Sequence, residues 1–160
     1  MKYLGMGLLL LVIFLAVRGY RARLERSADT AEAFLELIGH IYVRVSQYTE
    51  SPGAWGGGFG TDNPSVGEFL SRLREGVTPS VAFAALGEEV GLSAEARERL
   101  GSLFNSLLGD DVEREKRLIA EAERDMREIV DKERHAVGEN GRVAVIVAFL
   151  ISAGGVILII

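Results

Sequence analysis

Two uncharged apolar segments at the ends of the chain constrain its fold more than any other feature. Residues 3–17 and 143–160 contain no acidic or basic side chain, whereas residues 18–142 carry all 23 acidic residues and 17 of the 18 basic ones. As a helix, the C-terminal segment would be about 27 Å long, close to the thickness of the hydrocarbon core of a bilayer. We therefore predict transmembrane helices at residues 1–20 and 143–160, on either side of a water-soluble domain at 21–142.

Basic residues concentrate on the inner flank of each apolar segment. Four follow the first segment and three precede the second: Arg18, Arg21, Arg23, Arg26, Lys132, Arg134 and Arg142. Because basic flanks are retained on the cytoplasmic side, we predict a membrane protein with both termini outside and a cytoplasmic central domain. A secretory signal peptide is the alternative for the first segment, but only Lys2 precedes it and no small-x-small cleavage site follows.

The composition excludes several classes of protein. The chain has no cysteine, which rules out disulfides, zinc-cysteine sites and thiol nucleophiles. Its net charge of −5 leaves no basic stripe to neutralise phosphates, so we expect no nucleic-acid partner.

The pattern of the central domain predicts an all-α fold. Apolar residues recur at three- and four-residue steps in 21–48 and again in 112–135, where charged residues occupy the other helical faces. The predicted buried stripes are Leu24, Ala28, Ala31, Leu35, Ile38, Tyr42 and Val45 in the first helix, and Leu118, Ile119, Ala122, Met126, Ile129 and Val130 in the second. Capping residues predict shorter helices at 65–74, 80–90 and 94–108.

Residues 49–63 form a glycine-rich loop that we predict to be a flexible connector. Trp55 and Phe59 stand out within it. One interpretation makes them an anchor for a partner or a membrane interface. Local packing onto the helices is the alternative that we favour, since loop aromatics often cover the edge of a core.

No pattern in the chain predicts catalysis or a cofactor. The glycine-rich loop has no lysine where a phosphate-binding loop requires one. His40 and His135 each follow a carboxylate by four residues, which ordinary ion pairing on a helix explains without a metal. We expect a protein that is not an enzyme and needs no cofactor. In the second apolar segment, Gly154 and Gly155 would allow close helix packing, either against the first segment or between copies in a homo-oligomer.

The order of these elements resembles the stage III sporulation protein AB family. The resemblance is carried by the succession of segments along nearly the whole chain, and most clearly by Leu108-Gly109-Asp110-Asp111 followed by Arg117-Leu118-Ile119 at the start of the last long helix. The chain departs from the family at 51–63, where Ser51-Pro52 leads into glycines in place of a Thr-Pro-Leu turn and a helix.

The resemblance implies a platform or scaffold subunit of a sporulation channel complex in endospore-forming bacteria. Such a subunit sits in the mother-cell membrane around the forespore, has a cytoplasmic bundle of about six helices like half of a type II secretion or type IV pilus platform protein, and contacts a cytoplasmic ATPase and other stage III sporulation membrane proteins. We expect docking near Leu108, Gly109, Asp110 and Asp111, where the short helices meet. The alternative is a membrane-tethered helical adaptor or sensor outside any secretion machine.

Overall fold

The computed structural model describes the backbone of residues 2–48, 51–107 and 111–157, and the side chains of residues 11–12, 14–47, 51–88, 90–107 and 111–139. This part of the chain is helical and contains no strand, which confirms the all-α prediction. Its α-helices are α1 (Lys2–Tyr48), α2 (Pro64–Arg74), α3 (Pro79–Ala84), α4 (Ala94–Ser106) and α5 (Val112–Ile157), with short 3₁₀ helices at Pro52–Ala54 and Glu88–Val90. Among the described residues, no helical stretch is both long and apolar enough to cross a bilayer.

The chain divides into two compact units. The first, which we call the arm unit, consists of Met1–Glu25 and Glu133–Ile160, and the second, the bundle unit, is Arg26–Lys132. Both long helices contribute residues to each unit. The helix α1 continues through Gly19 and α5 continues through Gly138.

One hydrophobic core holds the bundle unit together, and all five α-helices contribute to it. Phenylalanines lie at its centre: the rings of Phe34, Phe69 and Phe83 pack edge to face, with centroids 5.7 to 6.4 Å apart. Phe104 stacks against Phe69 at 4.6 Å. Such pairs add stability beyond the burial of their surface, so the aromatic cluster joins α1 to α2, α3 and α4.

The buried face of α1 is broader than the predicted stripe and is turned relative to it. Ala28, Ala31, Ile38 and Val45 are buried as predicted, but Tyr42 is exposed. Three large side chains that the stripe left out, Phe34, Leu37 and Ile41, are almost completely buried. On α5 the prediction is closer, because all six predicted residues are buried except Leu118, which is half-buried.

Two of the short helices begin where the sequence predicts. Asn63 caps α2: its side-chain oxygen accepts hydrogen bonds from the backbone N–H of Ser65 and Val66 at 3.0 and 3.2 Å. Ser93 caps α4 in the same way, accepting from Ala96 at 3.2 Å. These caps satisfy N–H groups that have no partner within the helix, which explains why local sequence sets the start of both helices.

The predicted single helix at 80–90 is wrong. The helix α3 ends at Ala84, and a separate 3₁₀ helix follows at Glu88–Val90. Between them Gly87 has a φ of 65°, a left-handed conformation that glycine reaches without steric cost. The chain therefore turns at Gly87, and Leu86 and Val90 enter the core from separate turns.

The glycine-rich loop packs against α1 where it is described, at 51–63, in place of forming the predicted flexible connector. Trp55 is only 1% exposed and belongs to the core, which supports local packing over an anchoring role. The carbonyl oxygen of Gly57 accepts hydrogen bonds from His40 and Arg44 of α1. The Phe59 ring lies 5.2 Å from that of His40. These contacts hold residues 57–59 of the loop against α1.

Candidate docking groove

The structure describes one of the four residues predicted to dock a partner. Leu108, Gly109 and Asp110 lie outside the described residues. Asp111 directly precedes α5, and its carboxylate accepts hydrogen bonds from the backbone N–H of Glu113 and Arg114 at 3.0 and 3.1 Å. Asp111 is thus an N-cap of α5, a structural role that the sequence analysis missed although an aspartate before a helix is a common signal for it.

A groove of about 480 Å³ opens next to this predicted docking segment. Its walls come from the 3₁₀ helix Pro52–Ala54, the C-terminal end of α2, the turn into α3, and the C-terminal end of α4. The volume falls within the range of pockets that hold ligands or partner side chains, roughly 300–1,000 Å³. All of its described lining residues belong to the bundle unit.

The floor of the groove is apolar and well anchored. Leu73, Phe104 and Leu107 line it, and each is also part of the hydrophobic core. The helix α4 ends at Ser106, two residues earlier than predicted: the backbone of Leu107 is extended, with ψ of 97°, and Leu107 is only 4% exposed. Leu107 is thus held in the core at the last described residue of this segment.

The rim of the groove is polar and carries one charged side chain among its described residues, that of Arg74. Arg74 is exposed near the end of α2, and its guanidinium lies close to Gly56 of the glycine-rich loop. A Cβ at Gly56 would lie 3.3 Å from the Arg74 guanidinium and 3.2 Å from Leu70, so a larger residue there would require both side chains to shift slightly. An apolar floor beside a cation suits a partner segment that carries both an apolar side chain and a carboxylate.

A second groove, of about 340 Å³, lies between α4 and α5 and has the opposite character. Acidic residues line it, and two of them, Glu95 and Asp125, form ion pairs within the chain. Arg99 forms ion pairs with Asp125 and Glu121, and Lys132 forms one with Glu95 at 2.8 Å. This internal pairing joins α4 to α5 and makes the second groove the weaker candidate for a partner.

The other residues considered in the sequence analysis do not form a metal site within the described residues. His40 is engaged with the loop, His135 is exposed, and no group of three or more His, Asp or Glu side chains is placed to hold a metal ion there. Gly154 and Gly155 lie in α5, but what packs around them is outside the described residues.

No protein-family model, curated protein or solved structure matches the chain. The resemblance to the sporulation family therefore remains a prediction from the sequence. The groove, by contrast, is a feature that sequence reasoning missed, because its walls come from four segments spread between Ser51 and Leu107.

Proposed function

We propose that the chain is a non-enzymatic platform or scaffold subunit of a sporulation secretion-like channel complex. In this proposal its two apolar ends cross the cell membrane, and the bundle unit lies in the cytoplasm of the mother cell. There it contacts a secretion-type ATPase, while neighbouring stage III sporulation membrane proteins bind elsewhere on the chain.

The observation that carries the proposal is the exposure of large apolar side chains at the N-terminal end of α1. Leu11, Val12, Phe14 and Leu15 are each 56–57% exposed, whereas most apolar residues of the same helix in the bundle unit are buried. Contiguous exposed apolar surface marks a site of contact with a membrane or another protein. A lipid environment would cover these side chains without any protein partner.

The two long helices support the scaffold role. At 47 residues, α1 would be about 70 Å long if straight, more than twice the thickness of the hydrocarbon core. Such a helix can both cross the bilayer and contribute to the cytoplasmic core. Two helical connections of this kind would transmit movement from an ATPase to membrane subunits better than flexible linkers.

The docking groove is the proposed contact site for the ATPase, because it lies beside the segment predicted from the sequence. Its apolar floor and its cation would bind an acidic, aliphatic segment of the partner. The acidic residues of the predicted segment would face basic residues of the same partner.

Membrane topology is tested with a single introduced cysteine, which the absence of natural cysteines makes unambiguous. The variant Val81→Cys places a thiol on a side chain that is 57% exposed in the bundle unit. In intact cells a membrane-impermeant maleimide should leave this thiol unlabelled, and it should label the thiol after the membrane is permeabilised. Labelling in intact cells would contradict a cytoplasmic bundle unit.

Partner binding is tested by co-purification of the detergent-solubilised chain with the ATPase of its host. Arg74→Glu should weaken binding by tenfold or more, whereas Arg124→Glu, an equal change of charge at an exposed site on α5, should not. Asp111→Asn keeps the oxygen that caps α5 but removes the charge, so it separates docking from folding. If no ATPase binds the unmodified chain, the proposal fails and the tethered adaptor or sensor replaces it.

A further inference from the structure

Three arginines follow the exposed apolar side chains of α1 within two helical turns. Arg18, Arg21 and Arg23 span about 7.5 Å along the helix axis at 1.5 Å per residue. All three are exposed, and so is Tyr20 between them. We call Arg18, Arg21 and Arg23 the arginine collar.

The collar surrounds the helix. At 100° per residue, its members lie about 60°, 140° and 160° apart around the axis. The exposed apolar residues before it, Leu11, Val12, Phe14 and Leu15, cover almost half of the circumference of α1, about 160°. A docking protein would cover one stripe of a helix, whereas a bilayer and its headgroups surround it.

Among the described residues, one of the three collar arginines, Arg21, is in an ion pair. No acidic residue precedes Glu25 in the sequence. Within the described residues, Glu25 pairs with Arg21 at 2.8 Å, and both side chains remain about half exposed. An exposed pair of this kind contributes little, which leaves the guanidinium groups available to other anions.

We propose that the arginine collar binds the headgroups of anionic phospholipids, which requires the membrane anchoring of the proposed function. Guanidinium groups form paired hydrogen bonds with phosphate oxygens, and three of them in one layer match the plane of a leaflet surface. Tyr20 lies in the same layer, where aromatic side chains with a polar group are enriched. The collar thereby recruits acidic lipids around this helix and sets the depth at which α1 leaves the bilayer.

The preference for acidic lipids follows from the net charge of the collar. Phosphatidylcholine also has a phosphate, but its choline group cancels the charge. Phosphatidylglycerol keeps a full negative charge, and each basic residue near such a surface strengthens binding by about fivefold.

The test uses the full chain reconstituted in phosphatidylcholine vesicles with trace amounts of spin-labelled lipid. Spin-labelled phosphatidylglycerol should associate with the chain several-fold more strongly than spin-labelled phosphatidylcholine. The triple variant Arg18→Gln, Arg21→Gln, Arg23→Gln should lose this preference, because glutamine keeps the helical propensity and removes the charge. In 1 M salt the unmodified chain should lose most of it as well, since the screening length falls to about 3 Å.

A matched triple variant on α5, Arg114→Gln, Arg117→Gln and Arg124→Gln, removes the same charge from exposed positions of the bundle unit and should retain the preference. Equal association of the two lipids with the unmodified chain, or equal losses in both triple variants, would overturn the proposal that the collar binds anionic lipids.

Carbonate extraction of host membranes distinguishes failure of lipid binding by the collar from failure of the membrane anchoring in the proposed function. A chain that carbonate extracts has no membrane anchor, which overturns both proposals, whereas a retained chain without lipid preference overturns the collar alone.

Discussion

Leu15 and Leu37 lie on the same helix in opposite surroundings: Leu15 is 56% exposed and Leu37 is completely buried. The difference holds for their neighbours, because residues 11–20 expose large apolar side chains while residues 28–45 bury most of theirs. Full burial of a leucine is worth roughly 1.5–3 kcal/mol, so the bundle unit gains stability at each such position. The N-terminal end of α1 gains little stability from packing among the described residues, because its apolar side chains remain exposed.

This contrast shows that helix formation and the burial of apolar residues are separate properties of α1. The same secondary structure continues from Lys2 to Tyr48. In the bundle unit, one face of α1 packs in the core and the opposite face is exposed to water. In the arm unit, the large apolar side chains Leu11, Val12, Phe14 and Leu15 are exposed.

The largest effect is expected when the glycine-rich loop loses its buried aromatic residue. Trp55→Ala should lower the free energy of unfolding of the bundle unit by about 3–5 kcal/mol, because it removes a fully buried side chain and leaves a cavity. Circular dichroism of the full chain in detergent during urea unfolding measures this. Phe59→Ala, at a half-buried position of the same loop, should cost clearly less. A loss below about 1 kcal/mol for Trp55→Ala would mean that the loop does not belong to the core.

The two leucines give the most direct test of the comparison. Leu37→Ala should destabilise the bundle unit by about 2–5 kcal/mol, as expected for a buried leucine. Leu15→Ala is chemically the same change on the same helix and should leave unfolding of the bundle unit unaltered within about 0.5 kcal/mol. The fluorescence of Trp55, the one tryptophan in the chain, follows the unfolding of both variants. Similar losses in the two variants would abolish the distinction between the regions.

A smaller effect is expected where the loop joins α2. Asn63→Ala should cost about 1–2 kcal/mol, because it removes the cap of α2 and the hydrogen bond from the Asn63 amide to the buried Thr30 hydroxyl at 3.3 Å. Asn63→Asp keeps the capping oxygen but cannot donate to Thr30, so its stability in thermal unfolding should lie between those of the alanine variant and the unmodified chain. If the aspartate and alanine variants are equally unstable, the cap contributes nothing.

The smallest effect concerns the exposed charges of the bundle unit. Arg72 and Glu68 form an ion pair at 2.7 Å on the surface of α2. Glu68→Gln should change stability by less than about 0.5 kcal/mol, because water and salt screen exposed pairs. Thermal unfolding at low and high salt checks this, and a loss above 1 kcal/mol would show that surface charge shares in the stability that we assign to the core.

Local sequence determined those parts of the fold that depend on neighbours along the chain. The all-α class, the caps Asn63 and Ser93, and the buried stripe of α5 were predictable, because capping needs residues two or three positions away and a helical stripe needs only its own periodicity. The capping role of Asp111 was predictable by the same reasoning, although the sequence analysis assigned this residue to docking.

Tertiary structure decided what depends on residues far apart in sequence. The buried face of α1 includes Phe34 because aromatic residues of two other helices, Phe69 and Phe83, pack against it, and its own periodicity allowed a different face. The glycine-rich loop is held by His40, which is 17 residues from its partner Gly57. The docking groove likewise exists only because four segments meet. The physical reason is the same in each case: composition limits which surfaces a segment can bury, but the neighbours that the fold brings together select the one that is buried.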